Sequence, residues 1–379
     1  MLIVSSGAHA SPTARVLGQV RRGGVVMRED LVETTGLSAA TVARAVTSLA
    51  DARLVRLRPD MGRAGTTGRP SIPLQLETRC HAVIGIHVGR VRTTIALLDL
   101  RGRVLESTES PTPSSVDDAS TGRLLEGVVA WLTGDRVIIS VAMVSAWTDL
   151  GLDRDDLAAR LGARLGLTVA TTDHITAAAA AEHAVGSRGP GSVTAYVYAR
   201  DTIGYAVVED CPLGTVISRA TRLTHFPSGS QVPCHCRALG CLEATASDLA
   251  IGRRAVAEGL VDVPDVEALR AAAGAGSVRA GEVLGERAAV LGRAAAVVRD
   301  MVGCDRLVLV GQGFTSLPEL RDEVARSFEQ ATTLPPVEIA YGHHGTDLQA
   351  VAAGTVALVP LDEDPIAVVS AASEAVPVP

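Results

Sequence analysis

The stretch Cys234-His235-Cys236-Arg237-Ala238-Leu239-Gly240-Cys241 holds three of the chain's six cysteines, and His225 lies nine residues ahead of the first. Three thiols and one imidazole form a Cys3His set, a usual composition for a closed tetrahedral zinc site. The Cys-x-Cys step lets one tight loop present two thiolates to one ion. Gly240 lets the backbone turn back so that Cys241 can complete the set. Four protein ligands leave no open position for a substrate water, so the pattern implies a structural zinc ion, Zn(2+), and not a catalytic one. Two competing readings are loop cysteines without metal and a redox pair, but reactive thiols rarely come as Cys-x-Cys-x4-Cys with a histidine nearby.

A length of 379 residues implies two or three domains. Aromatic residues make up only 2% of a chain that is 47% hydrophobic, so the core must be built from Ala, Val and Leu. No 18-residue apolar run is free of charge, so no membrane-spanning helix is expected. Met1 to Ala10 lack the basic and apolar regions of a signal peptide. A cysteine cluster that binds zinc suits a reducing cytoplasm, which is the expected location.

The net charge of −7 hides an asymmetry. Residues 1 to 80 hold 11 arginines against six acids, a balance of +5, while the rest holds 24 against 36, a balance of −12. A small basic head on an acidic body suggests a nucleic-acid module joined to something else. Ser11-Pro12 opens a helix with Val16, Leu17 and Val20 as its apolar stripe, and Gly23-Gly24 ends it. A short helix from Arg28 to Thr35 stops at Gly36. Ser38 then caps a third helix from Ala39 to about Ala52.

In that third helix Val42, Val46 and Leu49 are spaced to face a core. Ala40, Ala43, Arg44 and Thr47 fall on the opposite face, where small residues permit close entry into a major groove. Ser38, Ala40, Thr41, Arg44 and Thr47 are the candidate DNA contacts, with Arg44 placed for a bidentate contact to guanine. The bland reading of Arg44 is a solvated surface arginine. Two strands around the loop Arg58 to Pro70 make a wing. In it Arg63 is a candidate phosphate contact, and Arg69, within Gly68-Arg69-Pro70, a candidate minor-groove contact. A flexible interdomain linker is the alternative for this loop.

From residue 82 the chain alternates strands and helices, which implies an α/β domain with a largely parallel central sheet. Strands are expected near 82–90, 93–99, 137–144, 167–171, 193–198, 203–208, 306–310 and 337–340. Helices are expected near 122–132, 153–165, 176–185, 247–302 and 348–358. Residues 361–379 are rich in Pro, Ala and acid and read as a disordered tail.

The run Cys234-x-Cys236-x3-Gly240-Cys241-Leu242-Glu243 resembles the signature of the ROK family (repressors, open reading frames and kinases), Cys-x-Cys-Gly-x-x-Gly-Cys-x-Glu. Leu37-Ser38-x-x-Thr41-Val42-x-Arg44-x-Val46 and Gly68-Arg69-Pro70 resemble the winged head of its repressor branch. The resemblance covers the chain to about residue 360. It implies an actin-like, ribonuclease-H-like body of two lobes behind an α+β winged helix-turn-helix domain at 1–79. Lobe 1 would span 80–185 and be completed by the C-terminal helix near 345–360. Lobe 2 would span 186–344 and carry the zinc loop 225–241. It also implies homodimers or tetramers that present two heads to a palindromic operator in double-stranded DNA.

The departures from the family's kinases bear on function. Those kinases open the body with Asp-x-Gly-Gly-Thr, which cradles ATP phosphates, and this chain has His87-Val88-Gly89-Arg90-Val91. Their catalytic base is the Asp of an Asn-Asp pair. Counting back from Glu182 puts His174 at that place and Asp173 where the Asn stands, and a one-residue slip restores Asp173 as the base. The family's Glu-x-Gly-His reads Arg222-Leu223-Thr224-His225, while Glu243, a sugar contact in relatives, is retained. Asp173, His174, Arg222 and Glu243 are therefore candidate effector contacts, for a sugar derivative or an anionic small molecule. The leading expectation is a non-enzymatic DNA-binding regulator of repressor type with a degenerate kinase site. The alternatives are an ATP-dependent sugar kinase and a protein-interaction module.

Overall fold

The structure, a computed structural model, describes residues 2–4, 10–61, 72–112, 128, 134–186, 191–211 and 214–374. Arg63, Arg69, the Gly68–Pro70 stretch and the helix expected over 122–132 lie outside the described residues, apart from Val128. The chain forms two compact units. One consists of residues 3–177, 211–216 and 349–379, and the other of 1–2, 178–210 and 217–348. The boundaries thus fall inside the helices His174–Gly186 and Leu348–Leu358.

In the first unit, three helices and a small sheet make the N-terminal part. The helix α1 (Pro12–Gly23) starts where the Ser11 hydroxyl accepts from the Ala14 amide. It buries Ala14, Val16, Leu17 and Val20. The helix α2 (Arg28–Thr35) ends at Gly36 in the left-handed region, as the sequence predicts. The helix α3 (Ala39–Asp51) is capped by Ser38, whose hydroxyl accepts from the Thr41 amide. It buries Val42, Ala45, Val46 and Leu49 against its neighbours. Strands Val25–Val26 and Val55–Leu57 both pair antiparallel with Leu74–Leu76, giving a three-stranded sheet with Leu74–Leu76 at its centre.

Behind this lies a five-stranded sheet. Its central strand, His81–Val88, is buried along its whole length. Arg92–Leu98 pairs antiparallel on one side and Val104–Pro111 follows it, again antiparallel. Val137–Ser145 pairs parallel on the other side, followed by Val169–Asp173. One face packs Ile84, Ile86, Val141 and Met143 against Leu157, Leu161 and Leu165 of the helix Arg154–Leu165. Against the central strand lies the C-terminal helix Leu348–Leu358, so close that only glycine fits. A Cβ on Gly85 would meet the Gly354 nitrogen at 2.4 Å.

The stretch expected to be a disordered tail is structured instead. Residues Val359–Asp362 form a 3-10 turn and Pro365–Glu374 a helix; 375–379 lie outside the described residues. Composition misled because apolar residues of the segment are packed away: Leu361 is fully buried and Pro365 is buried. Polar ties complete the anchorage. Asp362 pairs with Arg21 at 2.8 Å, and the Ser11 amide donates to the Glu363 carbonyl. Burial raises the Asp362 carboxyl above its usual range against the pull of Arg21 and Arg22. The C-terminal end of the chain is thus held against α1.

The second unit is built on another sheet. Val193–Ala199 pairs antiparallel with Ile203–Cys211 and parallel with Arg306–Val310, which pairs parallel with Glu338–Tyr341. The long helix Val278–Val302 covers it with Leu291, Ala295 and Val298, and the helix Arg321–Ala331 adds Val324 and Phe328. The helical region expected over 247–302 is three helices, Asp248–Ala257, Val266–Gly274 and Val278–Val302. Ser247, Asp265 and Ser277 cap them, which explains the breaks. No helix among the described residues is long and apolar enough to cross a membrane.

Gly85→Ala places a methyl group into the backbone of the C-terminal helix. It should destabilise the chain by about 1–3 kcal/mol. The effect is read as a lower urea midpoint at unchanged slope in equilibrium unfolding.

Candidate functional sites

The cysteine loop is a small two-stranded knuckle. The Ser228 amide donates to Gly240, Gly240 to Val232, and Cys234 to Ala238. Isolated bridges join Pro227 with Cys241 and Pro233 with Leu239. Gly240 is required twice over: its φ is +68°, and a Cβ there would meet the Ser230 carbonyl at 2.2 Å. Arg237 also sits at positive φ, 73°, where the family signature has glycine. The bond from its amide to the Cys234 carbonyl helps hold this strained turn.

The knuckle brings together all four predicted ligands. The donor atoms of His225, Cys234, Cys236 and Cys241 lie within 4.8 Å of one another. Cys236 Sγ is 3.5 Å from Cys241 Sγ, and Cys234 Sγ is 3.7 Å from His225 Nδ1. Sulfurs at about 2.3 Å from one tetrahedral ion stand roughly 3.8 Å apart, so the cluster needs little adjustment to hold a metal. All six cysteines are free thiols. Burial pushes the Cys241 thiol up to about 12, reinforced by its sulfur neighbours. The Ala238 backbone, ahead of the bond with Cys241, holds Cys236 below the usual thiol range. A divalent cation would offset the burial of thiolates at Cys241, which is what the donor set fits.

Glu243 is the second residue of the short helix Leu242–Ala246, and its amide donates to the Thr224 carbonyl. Its carboxylate lies 3.2 Å from His235 Nδ1 and 3.9 Å from His225 Nδ1. Arg222 is exposed on the short strand Thr221–Arg222, opposite Gly204. Both belong to the second unit. Asp173 and His174 belong to the first. There Asp173 ends a strand, accepts from the Ile175 amide at 2.9 Å and lies 3.5 Å from His174. His174 is buried, with its ring 6.1 Å from that of His87, edge to face. Asp173 thus serves as the cap of the helix that follows.

Register aligns Val88 with Ser145 and Ser145 with Asp173, so the carboxyl ends of three parallel strands meet. The turn after Val88 is closed on itself. The Gly89 amide donates to the Arg92 carbonyl, and the Thr112 hydroxyl donates to the Gly89 carbonyl. Two residues without an assigned role in the sequence reading prove to matter: His87 faces His174, and His235 faces Glu243. The signal for each was a histidine inside a motif whose other members had roles.

On α3 the predicted face is open. Ser38, Ala40, Arg44 and Thr47 are exposed and Thr41 is half-buried. The Thr47 hydroxyl donates to the Ala43 carbonyl, and Ser38 shares a bond with Thr41. Arg44 forms no ion pair among the described residues.

A mixed five-stranded sheet, the helix Leu348–Leu358 packed on it and a cysteine knuckle that ends in Cys-x-Glu are the features that the ROK resemblance implies. The chain belongs to the ROK family, whose model matches residues 83–360. A similar relative is the transcriptional regulator Rv0485 of Mycobacterium tuberculosis, 34% identical over 385 residues, covering 94% of this chain and 87% of the relative. Among solved structures, a ROK family transcriptional regulator homologous to the Escherichia coli Mlc protein covers 94% of this chain and 98% of its own. Its TM-score is 0.74 at 21% identity. A ROK glucokinase from Streptomyces griseus, solved with glucose and AMPPNP, covers 73% of this chain and 99% of its own. Its TM-score is 0.62 at 18% identity. At these identities both structures establish fold.

Cys241→Ser removes the most buried donor of the knuckle. Its affinity for zinc, read by competition with a chelator, should fall at least about tenfold below that of the unaltered chain. The far-UV circular dichroism should hardly change.

Proposed function

We propose that this chain is a DNA-binding transcriptional regulator, of repressor type, that binds an inverted repeat as a dimer. The observation that carries the reading is the exposed face of α3, where Ser38, Ala40, Arg44 and Thr47 stand clear on a compact three-helix head. Small residues around one arginine suit close entry into a major groove. The small sheet beside it has the layout of a wing, and Arg63 and Arg69 are assigned to phosphate and minor-groove contact. The name of the 34% identical relative, a transcriptional regulator, supports the same reading.

The body, in this reading, is not an enzyme. A phosphate cradle needs free backbone amides and close approach. Here the Gly89 amide is spent on Arg92, and Arg90 follows where the kinases have a second glycine. His174 stands at the place counted for the base, buried against His87. The kinase alternative has in its favour the shared fold and the retained Glu243. The knuckle takes a structural zinc ion through His225, Cys234, Cys236 and Cys241, and so fixes Glu243. Asp173, His174, Arg222 and Glu243 are the contacts assigned to an effector, a sugar derivative or anionic small molecule. The protein acts in the cytoplasm, as a homodimer or tetramer.

The test is capture of genomic fragments by the purified protein, followed by footprinting. A protected inverted repeat is expected, with affinity falling steeply as salt rises. Arg44→Ala should weaken specific binding by about 1–3 kcal/mol, roughly 5- to 150-fold, and relax specificity at one base pair per half-site. No enriched fragment at low salt, with metal bound, would sink the reading. Coupled ADP release with a panel of hexoses should stay at the protein-free rate; hexose-dependent turnover would restore the kinase.

A further inference from the structure

The knuckle holds a second donor set beside the thiols. His225, His235 and Glu243 offer two imidazole nitrogens and a carboxylate oxygen, all within 4.8 Å of one another. His235 Nδ1 lies 3.2 Å from Glu243 Oε2, about the separation of two ligands on one tetrahedral ion at roughly 2.1 Å from each. The two histidine rings are 5.2 Å apart, so a small rotation brings both nitrogens to one point. Glu243 is held by its place in the first turn of the helix Leu242–Ala246, while the side chains of His225 and His235 are exposed.

The sets share one atom. His225 Nδ1 is 3.7 Å from Cys234 Sγ and 3.9 Å from Glu243 Oε2. One nitrogen serves one ion, so the two seats exclude each other. They also differ in kind. Cys3His is closed and soft. His2Glu supplies three borderline and hard donors and leaves at least one position for water or an oxygen ligand.

We propose that the knuckle is a two-seat metal site: His225, His235 and Glu243 form an open seat that takes a divalent transition ion, of the zinc, cobalt or nickel class, when the thiols are withdrawn. Cys236 and Cys241, with sulfurs 3.5 Å apart and Cys236 exposed, are the pair whose oxidation withdraws them. In that step a hydroperoxide accepts two electrons. One S–S bond forms between the two metal-bound thiolates, the O–O bond breaks, and two protons taken from solvent complete the water and alcohol produced. The ion stays on His225 and moves to His235 and Glu243. This inference rests on the metal-binding reading of the knuckle and not on DNA binding, and its test reads metal alone.

The first arm uses the full chain carrying Cys234→Ser, Cys236→Ser and Cys241→Ser, checked for folding by circular dichroism and titrated with Co2+. Binding with ligand-field bands but no thiolate charge-transfer band is expected, and it should be lost on adding His235→Ala. A folded variant that takes up no Co2+ overturns the proposal. Should that variant not fold, the second arm decides. Zinc-loaded wild-type and His235→Ala chains are treated with hydrogen peroxide to loss of two thiols, gel-filtered and analysed for zinc. Retention by the wild type and release by the variant supports the open seat; equal release from both overturns it.

Discussion

The first unit depends on a close approach between the central strand and the helix Leu348–Leu358, at Gly85. With no Cβ on Gly85 the helix backbone lies directly on the strand His81–Val88, and with none on Gly354 the helix makes room for the Leu98 side chain of the next strand. The five-stranded sheet is therefore sealed on one face by a segment that arrives after the whole second unit. The same contact fixes where the chain goes next. Leaving this helix, residues 359–374 run to α1, where Asp362 meets Arg21 and Glu363 meets Ser11. The position of the head depends on a packing contact made hundreds of residues away in sequence.

Much of this was legible beforehand, for identifiable reasons. Caps at Ser11 and Ser38 and the left-handed stop at Gly36 are local chemistry, and local chemistry survives into the fold. The knuckle was legible because four donors at short spacing have few other uses. The helix Pro365–Glu374 was not, because the segment has weak amphipathicity and acidic flanks, and it is held through Leu361, Pro365 and the ties to α1. The partnership of His235 with Glu243 was hidden for another reason. It depends on the turn at Arg237, a residue in a backbone conformation that side chains other than glycine seldom adopt.

The body keeps the architecture shared with kinases of its family while its chemistry is rearranged. At the carboxyl ends of the strands His81–Val88 and Val169–Asp173, two buried imidazoles stand edge to face. The loop that follows the first strand has turned its amide inward to Arg92. His87 stands where the family's kinases have the first aspartate of their phosphate loop, while Asp173 keeps a carboxylate at the end of the neighbouring strand.

The Arg21–Asp362 tie has a consequence for how the protein is made. Synthesis runs from the N-terminus, so the head and most of its lobe leave the ribosome first. Their sealing helix and the segment that grips α1 emerge only after the whole second unit has been made. Throughout translation the central sheet lacks one cover, and α1 lacks its partner. The nascent chain thus passes through a long interval with apolar surface open to solvent, and only a chain that includes Leu348–Leu358 and Pro365–Glu374 can close it. A message cut short near its end would yield a basic head with no fixed seat, and the quality-control machinery would meet an open lobe, not a native one.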